Sequence, residues 1–370
     1  MFNWLAYGND PTKENPSIDR DFFAKREWSF TIEDDIYIRY QSFRDKAEMM
    51  AAIQKRQPHK IDIGAVFSAP PKDHTTIRPE LFKTVERELV FDVDMTDYDD
   101  IRTCCTGANI CKRCWPYMTM ALKVVDRALR EDFAFKHILW IYSGRRGVHC
   151  WVNDPEARAL SNDARSAVVE YLSVETGTNE NSDRKMKSTF TAPIHPALKR
   201  AYDILEPMFE RCICDGEGQG LLASSRSIIE VLNKIPNDDL RKDIHSAIDV
   251  EGMSGAERWR ILKEMITSPT SSAQGQKVKR SQKRVDYAEM DAWRYHLVFS
   301  HCYPRLDANV SKMQNHLLKS PFCVHPKTGR VCVPIDPSEA DKFDPFSVPT
   351  VRALCNQVRQ FHSHSPCLRL

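Results

Sequence analysis

The sequence predicts an α/β fold of the α+β kind: a mixed-sheet core interrupted by an inserted helical subdomain. Three observations predict it. Period-two, strand-like stretches recur in the first half of the chain and again near its end. Between them, Pro196 to Thr267 reads as helix alone. A polar stretch rich in Ser, Gln and Lys, 268–283, then separates the helical region from the returning mixed pattern.

The elements follow in order. Trp28 to Phe43 alternates well enough for two strands around Glu33-Asp34-Asp35, with Ile36, Ile38 and Tyr40 on one face. Residues 45–57 read as a helix ending before Pro58, and Ile61 to Phe67 as a strand closed by Pro70-Pro71. Glu88 to Met95 is a strand that leads into a cysteine-rich loop. Residues 117–131 form a helix with Met120, Val124, Val125 and Leu129 inward. Ile138 to Tyr142 and Val148 to Val152 are strands joined by Ser143-Gly144-Arg145-Arg146-Gly147. Asp154 is placed to cap a helix with Pro155 at its first position, running to about Val174. Glycine, asparagine and charge dominate Gly177 to Lys187, and a later helix opens on the capping box Ser254-Gly255-Ala256-Glu257. The expected organisation is a first core segment at 1–174, with the cysteine loop at 104–114, and a helical insert and linker at 175–290. A second core segment follows at 291–358, then an unstructured tail at 359–370.

A chain of 370 residues can bury a substantial core and holds about two folded units. Its 42% apolar and 28% charged content are those of a soluble globular protein. The net charge of +2 means that any basic surface must be local. No apolar run approaches the ~18 residues that span a bilayer. Met1 to Gly8 offers neither a basic nor an apolar leader segment, so an intracellular protein without membrane attachment is expected. Lys277, Lys279, Arg280, Lys283 and Arg284 form a basic cluster that reads as a solvated run, with nuclear targeting as the alternative.

Three constellations carry chemistry. In Glu88-Leu89-Val90-Phe91-Asp92-Val93-Asp94-Met95, alternation puts Val90, Asp92 and Asp94 on one strand face. Parallel carboxylates on a rigid strand suit hard divalent cations, although a half-solvated acidic strand would read the same way. Cys104, Cys105, Cys111 and Cys114 are four of the twelve cysteines, gathered within eleven residues. They can form a closed tetrahedral zinc site, which is structural because no position stays open; a redox pair or unrelated buried thiols are the competing readings. In Tyr142 to His149, two arginines, Ser143 and His149 converge on a turn, as in a triphosphate clamp or an ordinary basic turn. Asp307 adds a third carboxylate, and Lys319 and His325 add cationic candidates.

Together these residues resemble the small catalytic subunit of eukaryotic DNA primase, in the archaeo-eukaryotic primase superfamily. The resemblance runs from about Trp4 to Val358. It rests on Asp34 to Phe43, Lys60 to Val66, Leu89 to Asp100, Ser143 to Trp151, Pro304-Arg305-Leu306-Asp307 and Lys319 to Arg330. It implies that Asp92, Asp94 and Asp307 hold two Mg2+ or Mn2+ ions. It implies that Ser143, Arg145, Arg146, His149, Lys319 and His325 bind the nucleoside triphosphate, with Arg39 and Asp62 lining the nucleotide site. Cys104, Cys105, Cys111 and Cys114 match the zinc ligands. The implied activity is synthesis of short RNA primers from ribonucleoside triphosphates on a single-stranded DNA template. The implied setting is the nucleus, with the primase large subunit and the DNA polymerase alpha complex as partners. The sequence departs from the family at both ends: relatives carry a helical stretch before the region of Trp4 and continue past Phe346-Ser347-Val348-Pro349, whereas this chain closes on an unmatched tail.

Two other readings compete. A zinc-stabilised nucleic-acid-binding scaffold would need neither Asp307 nor the paired arginines. A primase-polymerase favouring deoxynucleotides would differ at the ribose, where Asp62 is placed.

Overall fold

The computed structural model describes residues 20–174, 190, 193–235, 237–267 and 287–364. The chain divides into two compact units. The first takes in Met1–Asp94, Ala134–Tyr171 and Leu306–Leu370; the second takes in Met95–Phe133 and Leu172–Arg305.

All nine strands among the described residues belong to the first unit. They are β1 (Arg26–Thr31), β2 (Tyr37–Gln41), β3 (Lys60–Phe67), β4 (Thr84–Glu86), β5 (Leu89–Asp94), β6 (Ile138–Tyr142), β7 (Gly147–Val152), β8 (Leu318–Lys319) and β9 (Pro334–Ile335). One sheet runs β2-β1-β3-β4 with β8 also on β3, the other runs β5-β7-β6-β9, and every pairing is antiparallel. The expected turn between β1 and β2 is present, with Asp34 and Asp35 both in the left-handed region, which short polar side chains tolerate. The helix Lys46–Arg56 starts where Asp45 accepts from Glu48 N and stops at left-handed Gln57.

A single apolar cluster joins the two sheets: Trp28 and Phe30 of β1, Ile63 of β3, Val90 of β5, Ile141 of β6 and Trp151 of β7. Each such side chain contributes roughly 1.5–3 kcal/mol by leaving water. Charge is buried as well. Arg26 grips Glu88 through two 2.8 Å bonds, both side chains being fully buried, and Arg165 donates to the carbonyls of Arg87 and Glu88. A pair desolvated to this degree persists because both partners are hydrogen-bonded.

In the second unit, the helix Pro116–Glu131 buries Met120, Val124, Val125 and Leu129 as the periodicity predicts. It packs on Pro196–Met208 and Tyr287–Cys302, and Gly255–Thr267 packs on Tyr287–Cys302 in turn. The capping box is formed, with Glu257 N on Ser254 Oγ (3.2 Å) and Ser254 N on Glu257 Oε2 (2.9 Å).

Three expectations are corrected here. The helix expected from Asp154 to about Val174 is two helices, Pro155–Arg158 and Asn162–Leu172. Asp154 does not cap the first, because its carboxylate accepts from Lys136 N and His137 N (2.9 Å each) and so anchors the approach to β6; Ser161 receives Ala164 N at the start of the second. The boundaries at 175 and 291 also move. The cysteine loop and Pro116–Glu131 belong to the helical unit, and the chain returns to the first unit at Leu306, because Pro116–Glu131 finds its apolar partners among helices. Last, the tail expected from 359 is helical through His364, as part of Val351–His364. The polar linker at 268–283, its basic cluster and residues 365–370 lie outside the described residues. Among the described residues no helix is long and apolar enough to cross a membrane.

Candidate active site

Register builds the site. On β5, Leu89, Phe91 and Val93 are fully buried, while Asp92 and Asp94 keep partial access to solvent. Pairing with β7 puts Asp92 opposite His149 and Asp94 opposite Gly147. His149 Nε2 lies 3.5 Å from Asp92 Oδ1. A Cβ at Gly147 would sit 2.4 Å from Val93 O, so the turn Ser143–Gly147 can approach β5 only through glycine. That approach brings Arg146 Nε onto both oxygens of Asp94, at 2.7 and 2.9 Å. Asp307 N donates to Asp92 O (3.0 Å), and the Asp307 carboxylate accepts from Asn309 N (3.0 Å) at the start of Ala308–Lys312.

The other sheet supplies the remaining wall. β8 sets Lys319 opposite Asp62 of β3, and Lys319 Nζ donates to Ser143 O. Asp62 is buried, with Oδ2 held by Lys60 Nζ (3.0 Å), Tyr37 Oη (3.0 Å) and Ser29 Oγ (3.4 Å). Burial and the neighbouring Asp62 push the Tyr37 phenol up to about 12, so it stays a donor. Asp62 Oδ1 is buried without a hydrogen-bond partner.

Ten of the eleven residues expected at the catalytic and nucleotide positions line one open cleft of about 310 Å³: Asp62, Asp92, Asp94, Ser143, Arg145, Arg146, His149, Asp307, Lys319 and His325. Arg39 does not. It is bound to buried Glu27 (3.0 and 3.2 Å) and lines a separate cavity of about 510 Å³ with Tyr40, Phe82 and Gln314. Its sequence position in a strand does not reveal that Glu27, on the neighbouring strand β1, claims it. Lys60 and His316 line the cleft and were missed. Lys60 sits two residues before Asp62 on β3, so period-two reading could have found it.

Of the cleft's three histidines, His149 and His325 are not cationic here, and burial lowers His316 as well. Burial, then Lys319 and Lys60, hold His149 well below the usual imidazole range. Burial, then Lys319 and Arg145, bring His325 down to about 4. The positive charge therefore comes from Lys60, Lys319, Arg145 and Arg146. A histidine held neutral in the fold accepts its proton on unfolding. Stability is thus expected to be intact above the ordinary value of 6.5 and to fall as pH drops from there toward 4. Melting curves across that window check it, and His325→Gln should flatten the slope.

The four cysteines belong to the second unit. Their sulfurs all lie within 4.8 Å of one another, a grouping that could hold a metal ion. Cys111 N donates to Cys114 Sγ (3.2 Å), Gln219 Nε2 to Cys104 Sγ (3.6 Å), and the buried Arg102 reaches Cys114 Sγ (3.9 Å). Cys111 lies low, at about 7: burial opposes this, but nearby N–H groups stabilise its thiolate. N–H donors and a guanidinium aimed at sulfur are what a thiolate metal site requires around it.

Comparison with known proteins agrees with this geometry. Residues 91–337 match the family described as DNA primase small subunit. The chain is 41% identical to the DNA primase small subunit of Drosophila melanogaster, covering 99% of this chain and 80% of that protein. It is 40% identical to that of Schizosaccharomyces pombe (97% and 74%) and 35% identical to that of Saccharomyces cerevisiae (93% and 80%). The class is therefore that of the template-directed nucleotidyltransferases. The chain belongs to the DNA primase small subunit family, the enzymes that synthesise RNA primers in replication.

Proposed function

We propose that the cleft of the first unit makes RNA primers on single-stranded DNA by two-metal-ion nucleotidyl transfer from ribonucleoside triphosphates. The observation that carries this reading is the meeting of Asp92, Asp94 and Asp307 with Arg145, Arg146, Lys60 and Lys319 in one cleft. Three carboxylates supply the hard oxygen donors that Mg2+ or Mn2+ takes, and their residues would hold the two ions. When bound, such ions activate the primer 3′-hydroxyl and neutralise the departing pyrophosphate.

The chain's own groups do the rest. Arg145 and Arg146 present planar forks to phosphate oxygens, and Arg146 turns from Asp94 to do so. Lys319 adds charge beside Ser143 O. His149 and His325, neutral in the free cleft, donate hydrogen bonds to the triphosphate or take up protons as its charge arrives. Asp62 Oδ1, buried and unpaired, is an acceptor suited to a ribose hydroxyl, which favours ribonucleotides. The cysteine cluster would hold one structural Zn2+. The family implies a nucleic-acid substrate and a large-subunit partner. The polymerase alpha complex and the nucleus belong to the same reading.

Incorporation of labelled ribonucleotide on an unprimed pyrimidine template tests it. Extension of a DNA primer by deoxynucleotides, with no unprimed synthesis, would instead support the primase-polymerase. The clamp has its own test. Arg146→Ala should raise the nucleotide KM by about ten- to a hundredfold, the worth of a charge-assisted bond, and lower kcat too. Arg146→Lys should recover only part, since it restores charge without the fork. An unchanged nucleotide KM with weaker DNA binding would turn the hairpin into a template contact.

A further inference from the structure

The loop that carries His325 is closed by two cysteines. Cys323 and Cys332 stand opposite each other on an antiparallel hairpin. Its rungs are the Val324–Val331 bridge and the bonds from His325 N to Arg330 O and from Cys332 N to Cys323 O, both 2.8 Å. A regular hydrogen-bonded pair of this kind has Cα atoms about 5.5 Å apart, within the span of a disulfide. Here Cys332 N bonds Cys323 O while Cys332 O receives Phe322 N (2.9 Å), so the ladder slips by one residue at this end. The two thiols are near enough to influence each other, while each S–H points elsewhere, Cys323 Sγ donating to Val324 O (3.6 Å) and Cys332 Sγ to Ser143 O (3.3 Å). Cys323 is partly exposed and Cys332 is buried, so one can meet an oxidant and the other can resolve it.

We propose that Cys323 and Cys332 are a peroxide-sensitive dithiol whose closure to a disulfide weakens nucleotide binding in the adjoining cleft. The second half of this rests on the nucleotide reading given above. Cys323 thiolate attacks hydrogen peroxide: an S–O bond forms, the O–O bond breaks and hydroxide leaves, giving the sulfenic acid. Cys332 sulfur then attacks Cys323 sulfur: S–S forms, S–O breaks, and the departing hydroxide takes the Cys332 proton as water. Two thiols and one peroxide give one disulfide and two waters. The neighbouring Cys332 thiol, with the Ile61 N–H and Lys319, brings the Cys323 thiol down to about 7 against the effect of burial, so thiolate is present at neutral pH.

The link to the cleft is direct. Cys332 Sγ donates to Ser143 O at 3.3 Å, the same carbonyl that Lys319 holds. A Cβ at Gly144 would lie 2.7 Å from His325 Cβ and 3.2 Å from Cys332 Sγ, so the arginine-bearing turn rests on this hairpin. Thr328 Oγ1 also donates to Gly144 O (2.7 Å). A disulfide removes the S–H donor from Ser143 O and draws the sulfur toward Cys323. The turn and the His325 loop lose a shared support.

The test treats the full chain with hydrogen peroxide and maps it with trypsin under non-reducing conditions. The expected product joins Ser320–Lys327 to Val331–Lys342. Equilibrium affinity for a ribonucleoside triphosphate should fall about three- to tenfold, the worth of one hydrogen bond, and return with dithiothreitol. Cys323→Ser should bind nucleotide as the reduced protein does and resist peroxide, and Cys332→Ser should resist it too. If those peptides stay unlinked while other thiols oxidise, or link with affinity unchanged, the proposal is wrong. Peptide mapping and nucleotide affinity need no primer synthesis. A reduced protein that makes no primers would count against the functional reading alone.

Discussion

Asp92→Asn is expected to cut primer synthesis by about a hundred- to a thousandfold, the loss seen when one charge-stabilising group leaves a reacting centre. Melting should barely change. The Asp92 carboxylate sits on the cleft side of β5, where solvent reaches it, and surface changes of this kind stay within about ±0.5 kcal/mol. Asp94→Asn should behave alike in synthesis, with a small further loss from its ion pair to Arg146. Parallel assays of initiation and thermal unfolding check both. Activity above about a tenth of wild type in either variant would remove that carboxylate from the reacting centre.

The double change Cys111→Ser with Cys114→Ser should have the larger effect on the fold. One zinc per chain is expected in the unaltered protein and none in the variant, measured by metal analysis after gel filtration. Structural zinc binding is coupled to folding, so melting should fall on the order of 10 °C, several kcal/mol for a unit of this size. The loss should spread within the second unit. Thr103 N bonds Gln219 Oε1 (2.7 Å), and Arg113 Nε bonds Gly218 O (2.7 Å), so the loop braces the segment that follows the π-helical turn Phe209–Cys214. Stoichiometric zinc in the double variant would place the ligands elsewhere.

What was legible in the sequence was local. Alternation along β5 put Asp92 and Asp94 on one face, and Ser143–Gly147 is the turn between two strands that was expected, although the close approach of Gly147 to Val93 O was not readable in it. The capping box at Ser254 was readable because both partners lie within one turn. What failed depended on pairings made far along the chain. Asp154 has the right residue type for a cap, yet its carboxylate serves the approach to β6. Arg39 looks like a free cation in a strand until Glu27 is found beneath it. The charge state of His149 and His325 follows from burial beside Lys319, and only the fold supplies that neighbour. The cysteine loop and Pro116–Glu131 were assigned to the wrong unit because an amphipathic helix does not state which surface it will cover.

The Arg146–Asp94 contact implies a thermodynamic linkage. In the free cleft one guanidinium occupies the carboxylate that a cation would claim. On the function proposed above, a triphosphate that drew the arginine away would unmask Asp94, and a cation on Asp94 would release the arginine toward phosphate. Each ligand must then raise the apparent affinity for the other by the same factor. Metal titrations without nucleotide should therefore return weak constants, and the two dissociation constants should shift together when either partner is varied.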